Sequence, residues 1–232
     1  MQSKLKHVAI ILDGNRRYAK KHRLMLLKGH EYGAKKVEKL FDWCRLLGIK
    51  ELTLYVFSME NFKRSKNEVN YLMNLFRKQF KKLSKDKRID KDRIRISFIG
   101  RLNLFPKDMQ EMMKSLMKKT KGYKNFKINF AIGYGGRAEI IDATKKMISD
   151  VKRKKLNEKD INENLFKKYL YLSREPDLLI RPGGDLRISN FLIWQSSYTE
   201  LYFTKKLWPE FTKNDLKKAI DDYKKRERRF GG

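Results

Sequence analysis

Five short apolar runs, at residues 8–12, 52–57, 94–99, 126–132 and 178–180, have the length of buried strands, and most are followed by segments with helical periodicity. One apolar stripe runs through Val69, Leu72, Met73, Phe76, Phe80 and Leu83. A second, after Pro106, takes in Met109, Met112, Met113 and Leu116, and a third Ile140, Ile141, Thr144, Met147, Ile148 and Val151. A last helix should start at Thr212, with Asp215 completing a capping box. It should turn Leu216, Ile220 and Tyr223 inward and end in a basic tail, residues 226–232. The charged stretches 84–93 and 151–164 read as solvated connections. Strands alternating with helices predict an α/β fold, a single domain over residues 1–232 with a largely parallel central sheet flanked by helices.

Such sheets bind ligands beyond the carboxyl ends of their strands, which selects the loops to inspect. The first run exits into Asp13-Gly14-Asn15-Arg16-Arg17 and the second into Ser58-Met59-Glu60-Asn61-Phe62-Lys63-Arg64. The third ends in Gly100-Arg101 and the fourth in Gly133-Tyr134-Gly135-Gly136-Arg137. The fifth gives Arg181-Pro182-Gly183-Gly184-Asp185-Leu186-Arg187-Ile188-Ser189-Asn190. Arginine offers a planar fork of donors that matches phosphate oxygens, and neighbouring glycines let backbone N–H groups approach the same anion. Asp13, a single acid among cations, is placed either to hold a magnesium ion shared with phosphate or simply to cap a turn; spacing alone leaves both open.

The net charge sharpens this picture without deciding it. Lys and Arg number 57 against 27 Asp and Glu, a formal balance of +30, which suits nucleic acid, anionic lipid or polyphosphate partners, and equally a lysine-coated surface kept for solubility. No exposed face interleaving aromatic and basic residues is apparent, so no specific nucleic-acid partner is expected, only salt-dependent adhesion. The single cysteine, Cys44, sits in an apolar stretch and reads as buried and inert. No apolar run is long enough to span a bilayer and no cleavage-like leader is visible. The expectation is a cytoplasmic protein whose membrane contact is at most peripheral.

Several chemistries are excluded by inspection. There is no Walker-type Gly-Lys-Ser/Thr loop, and Gly133-Tyr134-Gly135-Gly136 lacks the dinucleotide-binding spacing. Ala34 stands where a zinc protease would need its second histidine after His30-Glu31. Asn15 stands where a phosphatase with a nucleophilic aspartate would need another aspartate. Asp221-Asp222 runs into cations and does not begin the aspartate-rich motif of trans-type prenyl synthases.

Taken together, the motifs resemble the cis-prenyltransferases, the undecaprenyl and dehydrodolichyl diphosphate synthases. Residues 7–19, with Gly29-His30 and Gly33, resemble the family's first signature, 57–64 the second and Tyr134-Gly135-Gly136-Arg137 the third. Residues 177–195, Glu200-Leu201-Tyr202-Phe203 and Leu207-Trp208-Pro209 resemble the fourth, and 226–231 the carboxyl-terminal tail.

The resemblance implies magnesium-dependent condensation of isopentenyl diphosphate with an allylic diphosphate of farnesyl or geranylgeranyl type, yielding a cis-polyprenyl diphosphate. On that basis Asp13 holds magnesium and the allylic diphosphate, within a cradle of Gly14, Asn15, Arg16, Arg17, His30 and Arg64. Arg181, Arg187 and Ser189 bind isopentenyl diphosphate, joined by Arg229 and Gly231 from the tail of a neighbour in a homodimer. Glu200 is a second metal-side acid, and Asn61 stands with Asp13 at the reacting ends. Ser58, Phe62 and Tyr198 border the substrate pocket, although the two aromatics read equally as core. For His30 a loop-steadying role is as consistent as a substrate contact. The proton acceptor is left open between a substrate phosphate oxygen and a group near Asn61. An apolar tunnel between sheet and helices should take the growing chain, with the Met-, Leu- and Phe-rich stripes sharing between tunnel and core. Leu26, Pro182 and Asp185 depart from the family's usual arginine, threonine or serine, and glutamate, so the choice of allylic substrate lies outside what the resemblance implies. A non-catalytic partner subunit would lack the acid or the arginines, and Asp13, Arg181 and Arg187 argue against that alternative.

Overall fold

The run His7–Ile11 forms β1, buried at every position, and its apolar stretch, residues 8–11, is what helices covering both faces of a parallel sheet require. In the computed structural model, which describes residues 5–226, it is followed by α1 (Asn15–Lys21), α2 (Lys28–Leu46) and β2 (Glu51–Ser58). Next come α3 (Lys66–Ser84), α4 (Lys87–Lys91), β3 (Ile94–Ile99), α5 (Lys107–Lys119), β4 (Phe126–Tyr134) and α6 (Gly136–Lys152). The described part closes with α7 (Glu163–Tyr169), β5 (Leu178–Arg181), β6 (Glu200–Phe203) and α8 (Lys213–Lys225).

The strands form one sheet in the order β3-β4-β2-β1-β5-β6, every neighbouring pair parallel. The chain leaves β1 toward β2 on one side and leaves β5 toward β6 on the other. The crevice between β1 and β5 is therefore the switch point at which open parallel sheets hold ligands. Alternation along β1 divides the core between two faces: Val8 and Ile10 join Leu40, Phe76, Met113 and Leu216, while Ala9 and Ile11 join Leu172 and Phe191.

The stripes expected on α3 and α5 face the core, with Leu72, Met73, Phe76 and Phe80, then Met109, Met113 and Leu116, buried. Thr212 and Asp215 make the expected capping box at the start of α8, and Leu216, Ile220 and Tyr223 are buried. Cys44 is buried, and burial pushes its thiol pKa up.

Three expectations need correction. On α6 the buried positions are Gly136, Glu139, Ala143 and Met147, while Ile141 and Ile148 are half exposed. An apolar pattern cannot select a face that contains a glutamate. Glu139 takes its place because its carboxylate accepts hydrogen bonds from the Leu172 amide at 3.0 Å, from Gln195 at 3.1 Å and from the Tyr134 hydroxyl. Stretch 84–93 is no plain solvated connection: Asp86 caps α4 by accepting from the Arg88 amide at 2.9 Å, and Ile89 is buried. The edge strand β6 was not anticipated, because its four residues are only half buried and show no alternation.

Candidate active site

Asp13 lies two residues beyond β1 and Arg181 is the last residue of β5, so they meet across the switch-point crevice. Arg181 Nη2 donates to Asp13 Oδ2 at 2.8 Å and to Asp185 Oδ2 at 3.2 Å, and Nη1 donates to Ser189 Oγ at 2.7 Å. Arg187 Nη2 reaches the same Asp185 oxygen at 2.8 Å, and Arg17 Nη2 lies 3.1 Å from Asp13 Oδ1. Two carboxylates thus hold three guanidinium groups in one layer. Burial alone would raise the Asp13 pKa, but the hydrogen bond from Arg181 and the charge of Arg17 outweigh it and keep the carboxyl below its usual range. Gly183 makes this approach possible. Its φ is +102°, and a Cβ there would stand 2.8 Å from Arg17 Nη2 and 3.2 Å from Asp13 Cγ.

A second cationic group faces the first. Glu68, near the start of α3, lies 2.8 Å from Arg64 Nη1, 3.9 Å from Arg16 Nη1 and 4.0 Å from His30 Nε2. Burial and the Arg64 charge lower the His30 pKa to about 4, so its ring is neutral at physiological pH. Asn61 and Ser58 close a reciprocal box: the Ser58 amide donates to Asn61 Oδ1 at 3.0 Å and the Asn61 amide to Ser58 Oγ at 3.2 Å. That leaves the Asn61 side-chain NH2 for a substrate.

All these groups except Glu68 and Gly183 line one cavity of about 760 Å³. Away from the arginines it continues between the sheet and helices α2 and α3, along Val37, Phe41, Leu72, Phe76, Phe80 and Phe130. Three buried side-chain atoms without a protein hydrogen-bond partner, Asn15 Oδ1, His30 Nε2 and Arg181 Nε, belong to residues that line it. Buried polar atoms are rarely left unpaired; Asn15 Oδ1 packs against Gly33, which leaves His30 Nε2 and Arg181 Nε as the candidates for contact with a polar ligand.

The chain matches a family model described as "Putative undecaprenyl diphosphate synthase" over residues 11–231. It is also 50% identical over 228 residues to a tritrans,polycis-undecaprenyl-diphosphate synthase (geranylgeranyl-diphosphate specific) of Pyrococcus abyssi, covering 97% of this chain and 86% of that protein. The chain belongs to the cis-prenyltransferase family. A Methanocaldococcus jannaschii relative of the same description is 49% identical over 230 residues, covering 97% of this chain and 82% of its own. Among solved structures, lavandulyl diphosphate synthase from Lavandula x intermedia in complex with dimethylallyl diphosphate is similar at a TM-score of 0.90 and 35% identity, covering 98% of each chain. A probable undecaprenyl diphosphate synthase from Campylobacter jejuni gives 0.82 and 35%, covering 100% of each.

Not every residue that the motifs of this cis-prenyltransferase singled out comes to the cavity. Gly14, Asn15, Arg16, Arg17, His30, Ser58, Asn61, Arg64, Arg181, Arg187 and Ser189 line it together with Asp13. Glu200 does not join Asp13 within the chain: it opens β6 opposite Leu178, the residue that opens β5, and its carboxylate lies 2.7 Å from Arg226. Phe62 packs edge-on against Phe57 and near Phe105, partly buried against the core, and Tyr198 is 62% exposed. Arg229 and Gly231 lie outside the described residues. Of the loop arginines, Arg101 is committed to Asp142 by two hydrogen bonds of 2.9 Å, and Arg137 is exposed away from the cavity.

Two contributors went unrecognised in the motifs. Glu68 gathers the second cationic group, yet in sequence it looks like any acid in a helix's first turn. Asn190 stitches the β5 loop to its neighbours: its side chain donates to Glu60 at 2.9 Å and accepts from the Arg137 amide at 2.9 Å, and its carbonyl accepts from the Gly136 amide at 2.7 Å. The Tyr134-Gly135-Gly136-Arg137 motif therefore anchors the loop, and a Cβ on Gly135 would stand 2.8 Å from the Asn190 amide nitrogen.

Proposed function

We propose that this chain adds isopentenyl diphosphate units in cis to an allylic diphosphate primer, with geranylgeranyl diphosphate as the preferred primer. The observation that carries this reading is the form of the cavity: one end holds two sets of arginines and Asp13, and the corridor leading away from it is walled mainly by phenylalanine, leucine and valine. Such a space suits two diphosphate head groups and a hydrocarbon tail. The primer assignment rests on the names of the archaeal relatives.

Arg16, Arg17 and Arg64 would grip the primer's diphosphate, with Asn15 and neutral His30 completing the cradle. Arg181, Arg187 and Ser189 would hold isopentenyl diphosphate, placing its alkene against the primer's first carbon, so that proximity supplies much of the rate. As the allylic C–O bond breaks, the diphosphate leaves with the bonding pair, and the arginines stabilise that charge. The alkene's π electrons form the new C–C bond, and the adjacent carbon then gives up a proton to a diphosphate oxygen, leaving the new double bond.

Asp13 is the residue suited to hold magnesium. Its carboxylate accepts the Gly14 amide at 2.6 Å and contacts Arg17 through Oδ1, while Oδ2 contacts Arg181, which leaves Oδ2 one lone-pair direction. Asp185 lies beside the same arginine. One or two carboxylates plus substrate phosphates are the donors that magnesium takes, and bound there it supplies a Lewis acid to the departing diphosphate.

The assembly we propose is a homodimer, in which the tail of one chain supplies Arg229 and Gly231 to its partner. Ile141 and Ile148, half exposed two turns apart on α6, are apolar positions that a second copy would cover. Location is read as cytoplasmic, with peripheral contact at anionic membrane surfaces favoured by the +30 charge; among the described residues no helix is long and apolar enough to cross a membrane.

The test incubates purified protein with labelled isopentenyl diphosphate and either farnesyl or geranylgeranyl diphosphate, with magnesium or with a chelator, and measures extracted lipid. Chelator-sensitive cis-polyprenyl diphosphate, formed faster from the geranylgeranyl primer, is expected. No lipid product under any condition would overturn the assignment, and equal rates from both primers would overturn the primer preference.

A further inference from the structure

The apolar corridor of the cavity ends in charge. Helices α2 and α3 both lead away from the arginine rim, where His30 and Glu68 lie 4.0 Å apart. Glu38 lies eight residues beyond His30 on α2 and Lys82 fourteen beyond Glu68 on α3, roughly 12 Å and roughly 21 Å along the two helix axes. There the helices are tied together: Lys82 Nζ donates to Glu38 Oε1 at 2.8 Å and to Oε2 at 2.7 Å. Both residues line the cavity, next to Gln79 and Asp86. Among the described residues this is the one ion pair whose two partners both line the corridor away from the arginine rim.

A hydrocarbon tail growing from the rim meets mainly apolar walls, Val37, Leu72, Leu75 and Phe76 with Gln79 as a neutral exception, before it reaches this pair. The next unit must then lie against a bound ammonium and carboxylate, stripping their hydration, or part them and enter water. In both cases the apolar gain that favours each earlier addition stops. The pair is partly exposed, Lys82 at 63% and Glu38 at 30% of the side chain, and exposed ion pairs are weak. It yields gradually, so the stop it imposes is a distribution centred on one length.

We propose that the Glu38–Lys82 pair determines product chain length, as a latch between α2 and α3 that the tail must displace to grow further. The inference rests on the prenyl-transfer reading and adds the element that ends elongation.

The experiment compares the parent chain, the apolar double variant Glu38→Leu/Lys82→Leu and the charge-swapped variant Glu38→Lys/Lys82→Glu. Each is incubated with geranylgeranyl diphosphate, excess isopentenyl diphosphate and magnesium, and products are sized by mass spectrometry. The rate of the first addition is measured separately with limiting isopentenyl diphosphate, and because the pair stands far from the reacting carbons it should agree within about twofold across all three. The apolar variant should move the most abundant product at least one isoprene unit longer, and the swapped variant should keep the parent's distribution. Unchanged or shorter products from the apolar variant, or a swapped variant shifted as far as the apolar one, would overturn the latch while leaving prenyl transfer standing. A parent chain that forms no product would overturn both.

Discussion

His30 illustrates how burial and charge fix a side chain's state at the site. Its Nε2 has no protein partner, it lies beside Glu68, and the charges of Arg64 and Arg16 act on it together with burial. With the folded pKa lowered to about 4 from an ordinary 6.5, the unfolded chain binds a proton between those values that the folded chain does not. Stability contributed by this residue is therefore intact above pH 6.5 and is lost as the pH falls toward 4. Urea unfolding of the parent at pH 7 and pH 4.5 should show a loss larger, by on the order of 2 kcal/mol, than the same comparison in His30→Gln. Equal losses would mean that the ring is solvated or already charged in the folded protein.

The sequence suggested His30 by its place in a motif, but neither its neutrality nor its neighbour Glu68 was legible there. Both depend on α2 and α3 meeting at their first turns, and no local pattern encodes that meeting. Phe62 and Tyr198 show the same limit: an aromatic beside a motif looks alike whether it packs edge-on to Phe57 or stands 62% exposed.

At the scale of elements, the crossing of α1 and α2 sets the position of the proposed primer cradle. Gly29 and Gly33, one turn apart on α2, face Asn15: a Cβ on Gly29 would stand 2.0 Å from the Asn15 carbonyl oxygen, and one on Gly33 2.2 Å from Asn15 Oδ1. Neither contact is tolerable, so these glycines serve close approach. Gly29→Ala should push α1 outward and destabilise the protein by roughly 1–3 kcal/mol. In a chain of this size that lowers Tm by about 2–4 °C per kcal/mol, and KM for the primer should rise because Asn15, Arg16 and Arg17 move with α1. An unchanged Tm and KM would show that the crossing is loose.

Elements with strong local signals were readable in advance. The central strands are dominated by apolar residues, and Thr212 with Asp215 announces α8. Those that depend on tertiary context were not. The α6 face turns on a buried glutamate, α4 on a single buried isoleucine, and β6 on pairing with an already formed β5. The methionines of the stripes, Met73 on α3, Met109, Met112 and Met113 on α5 and Met147 on α6, are absent from the lining of this cavity. The corridor is walled instead by the leucines and phenylalanines of α3 and its neighbours.

For the whole molecule, the sheet order decides which loops converge. Five strand ends carry arginine, glycine or small polar residues, yet only those after β1, β2 and β5 meet at the cavity, because β1 and β5 flank the switch point and β2 adjoins β1. β3 lies at the sheet edge, where Arg101 serves a structural pair with Asp142, and β4's loop anchors Asn190. A sequence read for loops alone counts all five equally. Glu200 belongs to the same lesson, since its motif follows the β5 loop in sequence but it opens β6 beside Leu178, at the amino ends of the strands and away from the carboxyl-end rim.

The account stands on Asp13, whose carboxylate contacts Arg17 and Arg181, as the proposed holder of magnesium at the diphosphate end of the cavity. The most direct measurement is kcat/KM for isopentenyl diphosphate in the Asp13→Ala variant, with geranylgeranyl diphosphate and saturating magnesium, alongside the parent chain. A fall of a hundredfold or more, about 2.7 kcal/mol of transition-state stabilisation, is predicted. A variant that makes polyprenyl diphosphate at the parent's rate would contradict the assignment.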